Sequence, residues 1–267
     1  MSRTIPGVLL ACVWLLLLLL GSYTLFWLCV MVICLSGGRE VVRMLMPEDF
    51  SMKDRLLLTF IFSFPVIATF FSRQSIACNA FGLFVSFVGI TCFVMYRYSE
   101  LESPLETLLK GVFGTFFIGF LASFLVMIRG LEDGAHWLII LTAITAGSDS
   151  CAYWIGSKWG KTKLCPNISP NKTREGAIGG ISGGVAAALL LYLFLSVEVG
   201  VLQIVILGVF LSIFGIIGDL IESIIKRGSS RKDSGSLLGA HGGVLDRVDS
   251  LLMAAPVMYY TLLYFGS

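Results

Sequence analysis

Long apolar runs alternate with short polar segments along most of this chain. The apolar runs cover residues 8–35, 56–71, 76–95, 111–128, 135–155, 176–196, 199–225 and 251–265. A helix that crosses a membrane needs about 20 mostly apolar residues. The pattern therefore predicts an all-α protein, a polytopic transmembrane helical bundle of about eight or nine spans. Gly21 and Ser22 divide the first run, which is either one long tilted helix or two short helices joined by a tight turn.

Composition narrows the class of protein further. Of the 267 residues, 57% are hydrophobic and 13% are charged, and the mean hydropathy is +0.90. Soluble globular domains carry about 25% charged residues. An ordinary soluble domain, a disordered chain and a nucleic-acid-binding protein are therefore excluded.

The positions of Lys and Arg indicate how the spans are oriented. When the spans alternate, four polar segments fall on one side of the membrane, at residues 36–55, 96–110, 157–175 and 226–249. These segments hold 16 of the 19 basic residues, and Arg73 and Arg129 fall on the other side. Short cytoplasmic loops carry an excess of basic residues. We therefore expect all four segments to face the cytoplasm.

The two halves of the chain differ in where their charges lie. In residues 1–130 the charges fall between the apolar runs, which predicts a hydrophobic transmembrane scaffold. In residues 131–267, acids stand inside or at the edge of apolar runs, at Asp149, Asp219 and Glu222. Ionisable groups inside a membrane are energetically costly, so their presence indicates a functional site. The alternative is an ion pair that only holds two helices together. We therefore predict a transmembrane catalytic region with cytoplasmic loops in this half.

Carboxylates are grouped in the last part of the chain. Four polar residues share one helical face near the end of the run at 199–225, namely Asp219, Glu222, Ser223 and Lys226. Asp246 and Asp249 are three residues apart, so their carboxylates also share a face. Such groups beside phosphate-binding cations suit Mg²⁺, which takes carboxylate, water and phosphate oxygens. The alternative for Asp246 and Asp249 is an acidic first turn that complements the helix dipole.

A basic segment precedes the run at 176–196. A Ser-Pro pair at 169–170 breaks the chain, and Lys172 and Thr173 then lead into the next helix. Free amides at a helix N-terminus, together with a Lys and a hydroxyl, form a natural anion site. We therefore predict a phosphate-binding role for Lys172. The alternative is that this lysine only adds to the excess of basic residues on the cytoplasmic side of the membrane.

Glycines recur at the start of the same run. Gly179 and Gly183, like Gly180 and Gly184, are four residues apart. This spacing of small residues lets two membrane helices approach closely, so we predict helix packing rather than a phosphate loop. The sequence contains no Gly-x-x-x-x-Gly-Lys-Ser/Thr element, which excludes a P-loop ATPase.

Three polar segments follow one another near the C-terminus. They read Ser-Ile-Ile-Lys-Arg at 223–227, Lys-Asp-Ser-Gly at 232–235, and His-Gly-Gly-Val-Leu-Asp-Arg-Val-Asp at 241–249. Together they resemble the signature of the phosphatidate cytidylyltransferases, also called CDP-diacylglycerol synthases. The resemblance spans residues 145–255, and the N-terminal half agrees only in being hydrophobic.

The resemblance implies transfer of CMP from CTP to phosphatidic acid, which gives CDP-diacylglycerol and pyrophosphate for phospholipid biosynthesis. It also implies Mg²⁺, with a second ion such as K⁺, in a bacterial inner (plasma) membrane. Because CTP is cytosolic, the active site is expected to face the cytoplasm. CTP and phosphatidic acid in the membrane are the expected partners, no nucleic acid is expected, and a homodimer stays open.

Roles for individual residues follow from this resemblance. Asp219, Asp246 and Asp249 are the predicted metal ligands, and with Lys226 they form the predicted catalytic set. The predicted substrate-binding residues are Asp149, Lys172, Ser223, Arg227, Lys232, Asp233, His241 and Arg247. Of these, Asp149 either orients a lysine or lines the nucleotide pocket.

Two other functions stay open on the sequence. A CTP-dependent lipid kinase of the polyprenol or dolichol type has a related C-terminal region and would release CDP. A secondary transporter, from a different class, would carry internal repeats and place its acids near the membrane midplane. No internal repeat is evident, and the signature favours the cytidylyltransferase.

Overall fold

The chain folds almost entirely into helices, as its apolar runs predict. The computed structural model describes residues 4–195, 199–229, 231, 233–235, 237 and 242–265. The helices are α1 (Thr4–Leu20), α2 (Tyr23–Leu45), α3 (Met52–Phe62), α4 (Phe64–Phe71), α5 (Ile76–Tyr96), α6 (Pro104–Gly114), α7 (Leu121–Gly130), α8 (Gly134–Trp159), α9 (Arg174–Phe194), α10 (Val201–Gly228) and α11 (Leu245–Phe265). A 3₁₀ turn covers Tyr98–Glu100, and a π-helical turn at Thr115–Phe120 joins α6 to α7.

Several of these helices can cross a membrane. Within the described residues, six helical stretches are long and apolar enough, namely Tyr23–Leu45, Ile76–Tyr96, Pro104–Gly130, Gly134–Trp159, Arg174–Phe194 and Val201–Gly228. The stretch Pro104–Gly130 consists of α6, the π-helical turn and α7. The pair α3 and α4, bent by 40°, makes a seventh if it is counted as one span. The protein is therefore a polytopic integral membrane protein of the all-α class. The predicted eight or nine spans are not confirmed. Helix α1 offers only the shorter apolar stretch Leu9–Leu20, a break at Ser63 divides the run at 56–71, and α11 is not among the spans found in the described residues.

The first apolar run forms two helices, which decides between the two alternatives for this run. A side chain at Gly21 would collide with the carbonyl oxygen of Leu17, so glycine permits the tight connection. Ser22 then begins α2, and its hydroxyl accepts a hydrogen bond from the Leu25 amide at 3.2 Å.

Helix α2 extends further than the hydropathy pattern predicts. The segment 36–55 is predicted to be polar and loop-like, yet α2 continues to Leu45 because Val41, Val42 and Met44 supply a buried apolar face. Glu40 lies within this helix and is only 7% exposed. The expectation that the charges of residues 1–130 lie in loops is therefore wrong at Glu40, which the structure places in a helix.

The protein consists of two units. Unit 1 comprises Met1–Leu131 and Gly228–Arg247, and unit 2 comprises Glu132–Arg227 and Val248–Ser267. The first boundary lies next to the predicted division at residue 130. We call residues 223–249, which carry the three signature motifs, the signature segment, and its residues 228–247 belong to unit 1. The core of unit 1 includes α7, whose residues from 121 to 128 are all buried.

In unit 2, helices α8 and α9 lie against each other along small residues. A Cβ atom added at Gly180 would lie 3.0 Å from the carbonyl oxygen of Ser148. One added at Gly183 would collide with the side chain of Cys151. The predicted role of these glycines in close helix packing is confirmed.

A small hairpin connects α8 to α9. Its strands are β1 (Lys163–Cys165) and β2 (Ser169–Thr173), which pair in antiparallel fashion. Lys163 lies opposite Thr173, and Cys165 lies opposite Ser169. The predicted break at Ser169 is thus the start of a strand, and that strand carries Lys172.

Candidate active site

Helix α10 carries charged groups on one face near its C-terminal end. Glu222 is 1% exposed, and its Oε2 atom lies 2.6 Å from Nζ of Lys226, one turn later. Asp219 precedes Glu222 by three residues and is partly exposed. The ion pair confirms that Glu222 and Lys226 share a face, as their spacing predicts.

Asp249 on α11 completes an acidic group with α10. One carboxylate oxygen from each of Asp219, Glu222 and Asp249 lies within 4.8 Å of the others. Glu222 and Asp249 are buried. Helix α11 comes this close because Gly218 has no side chain, since a Cβ atom there would lie 2.5 Å from the carbonyl oxygen of Asp249. We call Asp219, Glu222 and Asp249 the acidic cluster.

The hairpin places the ammonium group of Lys172 beside the acidic cluster. Nζ of Lys172 lies 2.5 Å from Oδ2 of Asp219. The base of the hairpin is held by Glu175, whose carboxylate accepts hydrogen bonds from the amides of Lys161 and Thr162 at 3.1 and 3.2 Å. Lys172 is therefore placed by a fixed loop, and its phosphate-binding role stays a prediction.

Thr173 caps α9 at the point where the hairpin ends. Its hydroxyl oxygen accepts a hydrogen bond from the Gly176 amide at 3.1 Å, and the residue is buried. We expect Thr173→Ala to lower the free energy of unfolding by about 1 kcal/mol, because a helix N-cap contributes about that much. Thermal unfolding in detergent measures the change, with Thr173→Ser as the control that keeps the hydroxyl. Equal melting temperatures for the two variants would contradict the capping role.

A cavity of about 500 Å³ lies beside the acidic cluster. Its walls include Asp149, Tyr153, Leu164, Asn171, Lys172 and Asp219. Asp149 interacts electrostatically with both Asp219 and Lys172. Small-molecule sites have volumes of about 300–1,000 Å³, so the cavity can hold a small ligand. Asp149 thus lines a pocket beside a lysine, and its contact with a nucleotide stays a prediction.

The charges around this cavity fit a divalent cation. The acidic cluster and Asp149 bring four carboxylates together, and two ammonium groups, those of Lys172 and Lys226, lie beside them. Among the described residues, the carboxylates of this site therefore outnumber its ammonium groups, and like charges repel one another strongly when they are buried. Carboxylate oxygens are the ligands that hard divalent cations prefer. An ion bound by the cluster would remove this repulsion.

Two further predicted substrate-binding residues belong to unit 2. Ser223 is half-buried on α10. Arg227 is exposed, and its Nε donates a hydrogen bond to the carbonyl oxygen of Ile168 at 3.3 Å. Arg227 therefore ties the end of α10 to the hairpin that carries Lys172.

Asp246 lies in unit 1, where the signature segment holds its carboxylate. Oδ2 of Asp246 accepts hydrogen bonds from the amide and the hydroxyl of Ser234, at 3.2 and 3.0 Å, and from the amide of Gly243 at 2.8 Å. Gly242 has a φ of 78°, which favours glycine, and a Cβ atom there would lie 2.7 Å from the same oxygen. The metal-ligand role of Asp246 stays a prediction.

Four predicted substrate-binding residues accompany Asp246 in the signature. Asp233 and Arg247 are exposed. Lys232 and His241 lie outside the described residues. The roles of all four therefore stay predictions from the sequence.

Glu40 contacts the signature segment, although the sequence reasoning does not select it. Its carboxylate accepts hydrogen bonds from the amides of Val244 and Leu245, and its Oε2 lies 3.0 Å from the Ser234 hydroxyl, which can donate either to Glu40 or to Asp246. The sequence does contain a signal, an acid that closely follows an apolar run. The same signal selects the acids in residues 131–267.

Comparison with known proteins gives the family. The sequence model of a family described as “Cytidylyltransferase family” matches residues 1–265. This chain belongs to the cytidylyltransferase family. The match extends across the N-terminal half, so the similarity is wider than the resemblance over residues 145–255 indicates. Family membership makes the protein a nucleotidyltransferase, as the signature predicts.

Individual members of the cytidylyltransferase family resemble the chain over most of its length. A phosphatidate cytidylyltransferase of Bacillus subtilis (strain 168) is 32% identical over 270 residues, which covers 99% of this chain and 98% of that protein. Another, of Aquifex aeolicus (strain VF5), is 33% identical over 97% of this chain and 90% of its own length. A third, of Brucella suis biovar 1 (strain 1330), reaches 45% identity over 55% of this chain and 54% of its own length.

Proposed function

We propose that this protein transfers CMP from CTP to phosphatidic acid, which gives CDP-diacylglycerol and pyrophosphate. The acidic cluster, with Lys172 and Lys226 beside it, is the observation that carries the proposal. Carboxylates that can hold a cation, next to ammonium groups, suit a substrate with several phosphates. The relatives named phosphatidate cytidylyltransferase support the same reaction.

The proposed reaction is a displacement at the α-phosphorus of CTP. An oxygen of the phosphatidate phosphate forms the new P–O bond. The bond from the α-phosphorus to the oxygen that bridges to the β-phosphate breaks, and pyrophosphate leaves with that electron pair. The attacking oxygen is already ionised near neutral pH, so no general base is required. The enzyme therefore acts by aligning two anionic substrates and neutralising the charge that develops on the leaving group.

Lys172 and Lys226 are the proposed phosphate-binding cations. Each is paired with an acid of the cluster, Lys172 with Asp219 and Lys226 with Glu222. The ammonium groups are therefore oriented before the substrates arrive, and preorganised charges stabilise a transition state without further rearrangement. The other proposed substrate contacts are Asp149, Ser223, Arg227, Lys232, Asp233, His241 and Arg247.

We propose Mg²⁺ as the cation, because it takes carboxylate, water and phosphate oxygens together. Asp219 and Asp249 are its proposed ligands in the acidic cluster, where Glu222 is an additional candidate. Asp246 is proposed as a ligand from the signature alone. When bound, Mg²⁺ supplies charge neutralisation for the nucleotide phosphates. A second ion such as K⁺ is proposed from the family resemblance.

We propose that the active site faces the cytoplasm from a bacterial inner (plasma) membrane. The hairpin and the end of α10 belong to the segments that hold 16 of the 19 basic residues, which favours the cytoplasmic side. CTP is dissolved in the cytosol and phosphatidic acid lies in the membrane, so a site at this boundary meets both substrates. A homodimer is compatible with this arrangement.

Label transfer from CTP tests the reaction. Purified protein in mixed micelles with phosphatidic acid is given CTP labelled at the α-phosphate or at the γ-phosphate, with MgCl₂ or with EDTA. We expect the α label in the lipid and the γ label in pyrophosphate, and only with Mg²⁺. Transfer of the γ label to a polyprenol or dolichol would instead indicate the lipid kinase. Substrate uptake into vesicles without CTP consumption would indicate a transporter.

A further inference from the structure

Glu40 is an acid that the fold buries and then surrounds with donors. It lies in the part of α2 where Gly38, Val41 and Val42 are also buried. A buried carboxylate is costly unless it is hydrogen-bonded or paired with a cation. Within the described residues, the partners of Glu40 are N–H and O–H donors of the signature segment rather than cations.

Two of these donors are amides at the start of α11. Oε1 of Glu40 accepts a hydrogen bond from the Val244 amide at 3.0 Å, and Oε2 accepts one from the Leu245 amide at 2.9 Å. The first amides of a helix have no partner within the helix, and the helix dipole favours negative charge at that end. Glu40 therefore caps α11, although 204 positions in the chain separate it from Val244.

The third donor, Ser234, links Glu40 to Asp246. Its hydroxyl oxygen lies 3.0 Å from Oε2 of Glu40 and 3.0 Å from Oδ2 of Asp246. A hydroxyl has one proton and donates to one carboxylate at a time. The position of Asp246 is therefore tied to that of Glu40 through a single shared donor.

The signature segment leaves space for this carboxylate at two glycines. A Cβ atom at Gly235 would collide with Oε1 of Glu40, and one at Gly243 would collide with Ser234 and lie 2.5 Å from Oε2 of Glu40. A side chain at either position would have to displace Glu40. The two glycines and the serine thus all lie against the Glu40 carboxylate.

We infer that Glu40 is a positioning residue of the active site, which orients Asp246 through Ser234 and through the first amides of α11. The inference rests on the proposed function, in which Asp246 is a metal ligand. Glu40 acts through Asp246 and makes no proposed contact with substrate. Removing a group that orients a metal ligand typically lowers metal affinity or activity by about 10–100-fold.

Glu40→Gln tests this inference, because glutamine keeps the shape but replaces one acceptor oxygen by an NH₂ group that faces a donor. We expect faster hydrogen–deuterium exchange in a peptide covering residues 242–247. We also expect a dissociation constant for Mn²⁺, followed by electron paramagnetic resonance, that is raised by about tenfold or more. The matched control is Glu106→Gln on α6, because Glu106 is exposed and pairs with Lys110 at 2.7 Å.

Ser234→Ala is a milder second variant in case Glu40→Gln does not fold. It removes the shared hydroxyl and leaves both amide hydrogen bonds of Glu40 in place. We expect weaker Mn²⁺ binding in this variant, with little change in exchange at Val244 and Leu245.

The readouts separate a positioning role from a purely structural one. Unchanged exchange in Glu40→Gln would overturn the cap, and faster exchange with unchanged Mn²⁺ affinity would overturn the positioning role. Weaker Mn²⁺ binding in both variants, with the control unchanged, supports it. A wild-type protein that binds Mn²⁺ without consuming CTP would defeat the proposed function, whereas the Mn²⁺ affinities of the variants would still decide the role of Glu40.

Discussion

We expect the Asp219→Asn variant to lose about 10²–10³-fold in kcat while it remains folded, as enzymes do when one preorganised electrostatic contact is removed. The substitution takes one carboxylate from the acidic cluster and also removes the charged partner of Lys172. Both the proposed cation and the proposed phosphate-binding lysine would therefore be misplaced. Initial rates of CMP transfer at several Mg²⁺ concentrations measure the loss, and thermal unfolding in detergent measures folding.

Asp133→Asn is the matched control for this variant. Asp133 is an exposed residue of unit 2 that precedes α8, and its φ of 51° lies in the left-handed region that asparagine also tolerates. We expect it to leave kcat unchanged. Near-normal turnover in Asp219→Asn would contradict the role of the acidic cluster, and an equal loss in both variants would point to a general effect of removing charge from unit 2.

Gly180→Leu is expected to have the largest effect on folding. The Cβ atom alone would lie 3.0 Å from the carbonyl oxygen of Ser148, and the rest of the leucine side chain would force α8 and α9 apart. Overpacking of this kind costs about 1–3 kcal/mol and sometimes more, which is a large share of a stability of about 5–15 kcal/mol. The yield of monodisperse protein and its melting temperature measure the effect.

Gly228→Leu is the control for Gly180→Leu. A Cβ atom at Gly228 would meet no atom of the described residues within 4 Å, so the added side chain has room among them. We expect normal yield and an unchanged melting temperature for this control. A normal yield of inactive Gly180→Leu protein would show instead that Gly180 serves the site and not the contact between helices.

Features that depend on neighbouring residues follow directly from the sequence. The apolar runs predict helices, and the spacing of Glu222 and Lys226 predicts that they share a helical face, because residues four apart are neighbours on a helix surface. The small residues Gly180 and Gly183 likewise predict where two helices approach each other. In each case the relevant geometry repeats within one or two helical turns.

The hydropathy pattern is less informative about where helices end. It predicts a polar segment from residue 36, yet α2 continues to Leu45. Hydropathy averages over a window, whereas a helix continues wherever one face can be buried. The span count differs because a break at Ser63 divides one apolar run, α1 offers only the shorter stretch Leu9–Leu20, and α11 is not among the spans found in the described residues.

The amino-acid sequence alone identifies a polytopic helical membrane protein of the cytidylyltransferase family, in which the acids of residues 131–267 stand inside or at the edge of apolar runs. Which of these groups meet depends on how the helices fold against one another. It brings Lys172 to Asp219, and it sets Glu40 against Val244 and the signature segment. A charge buried in an apolar helix needs a hydrogen-bonding or oppositely charged partner. Which residue becomes that partner depends on how helices that are distant in the sequence pack together.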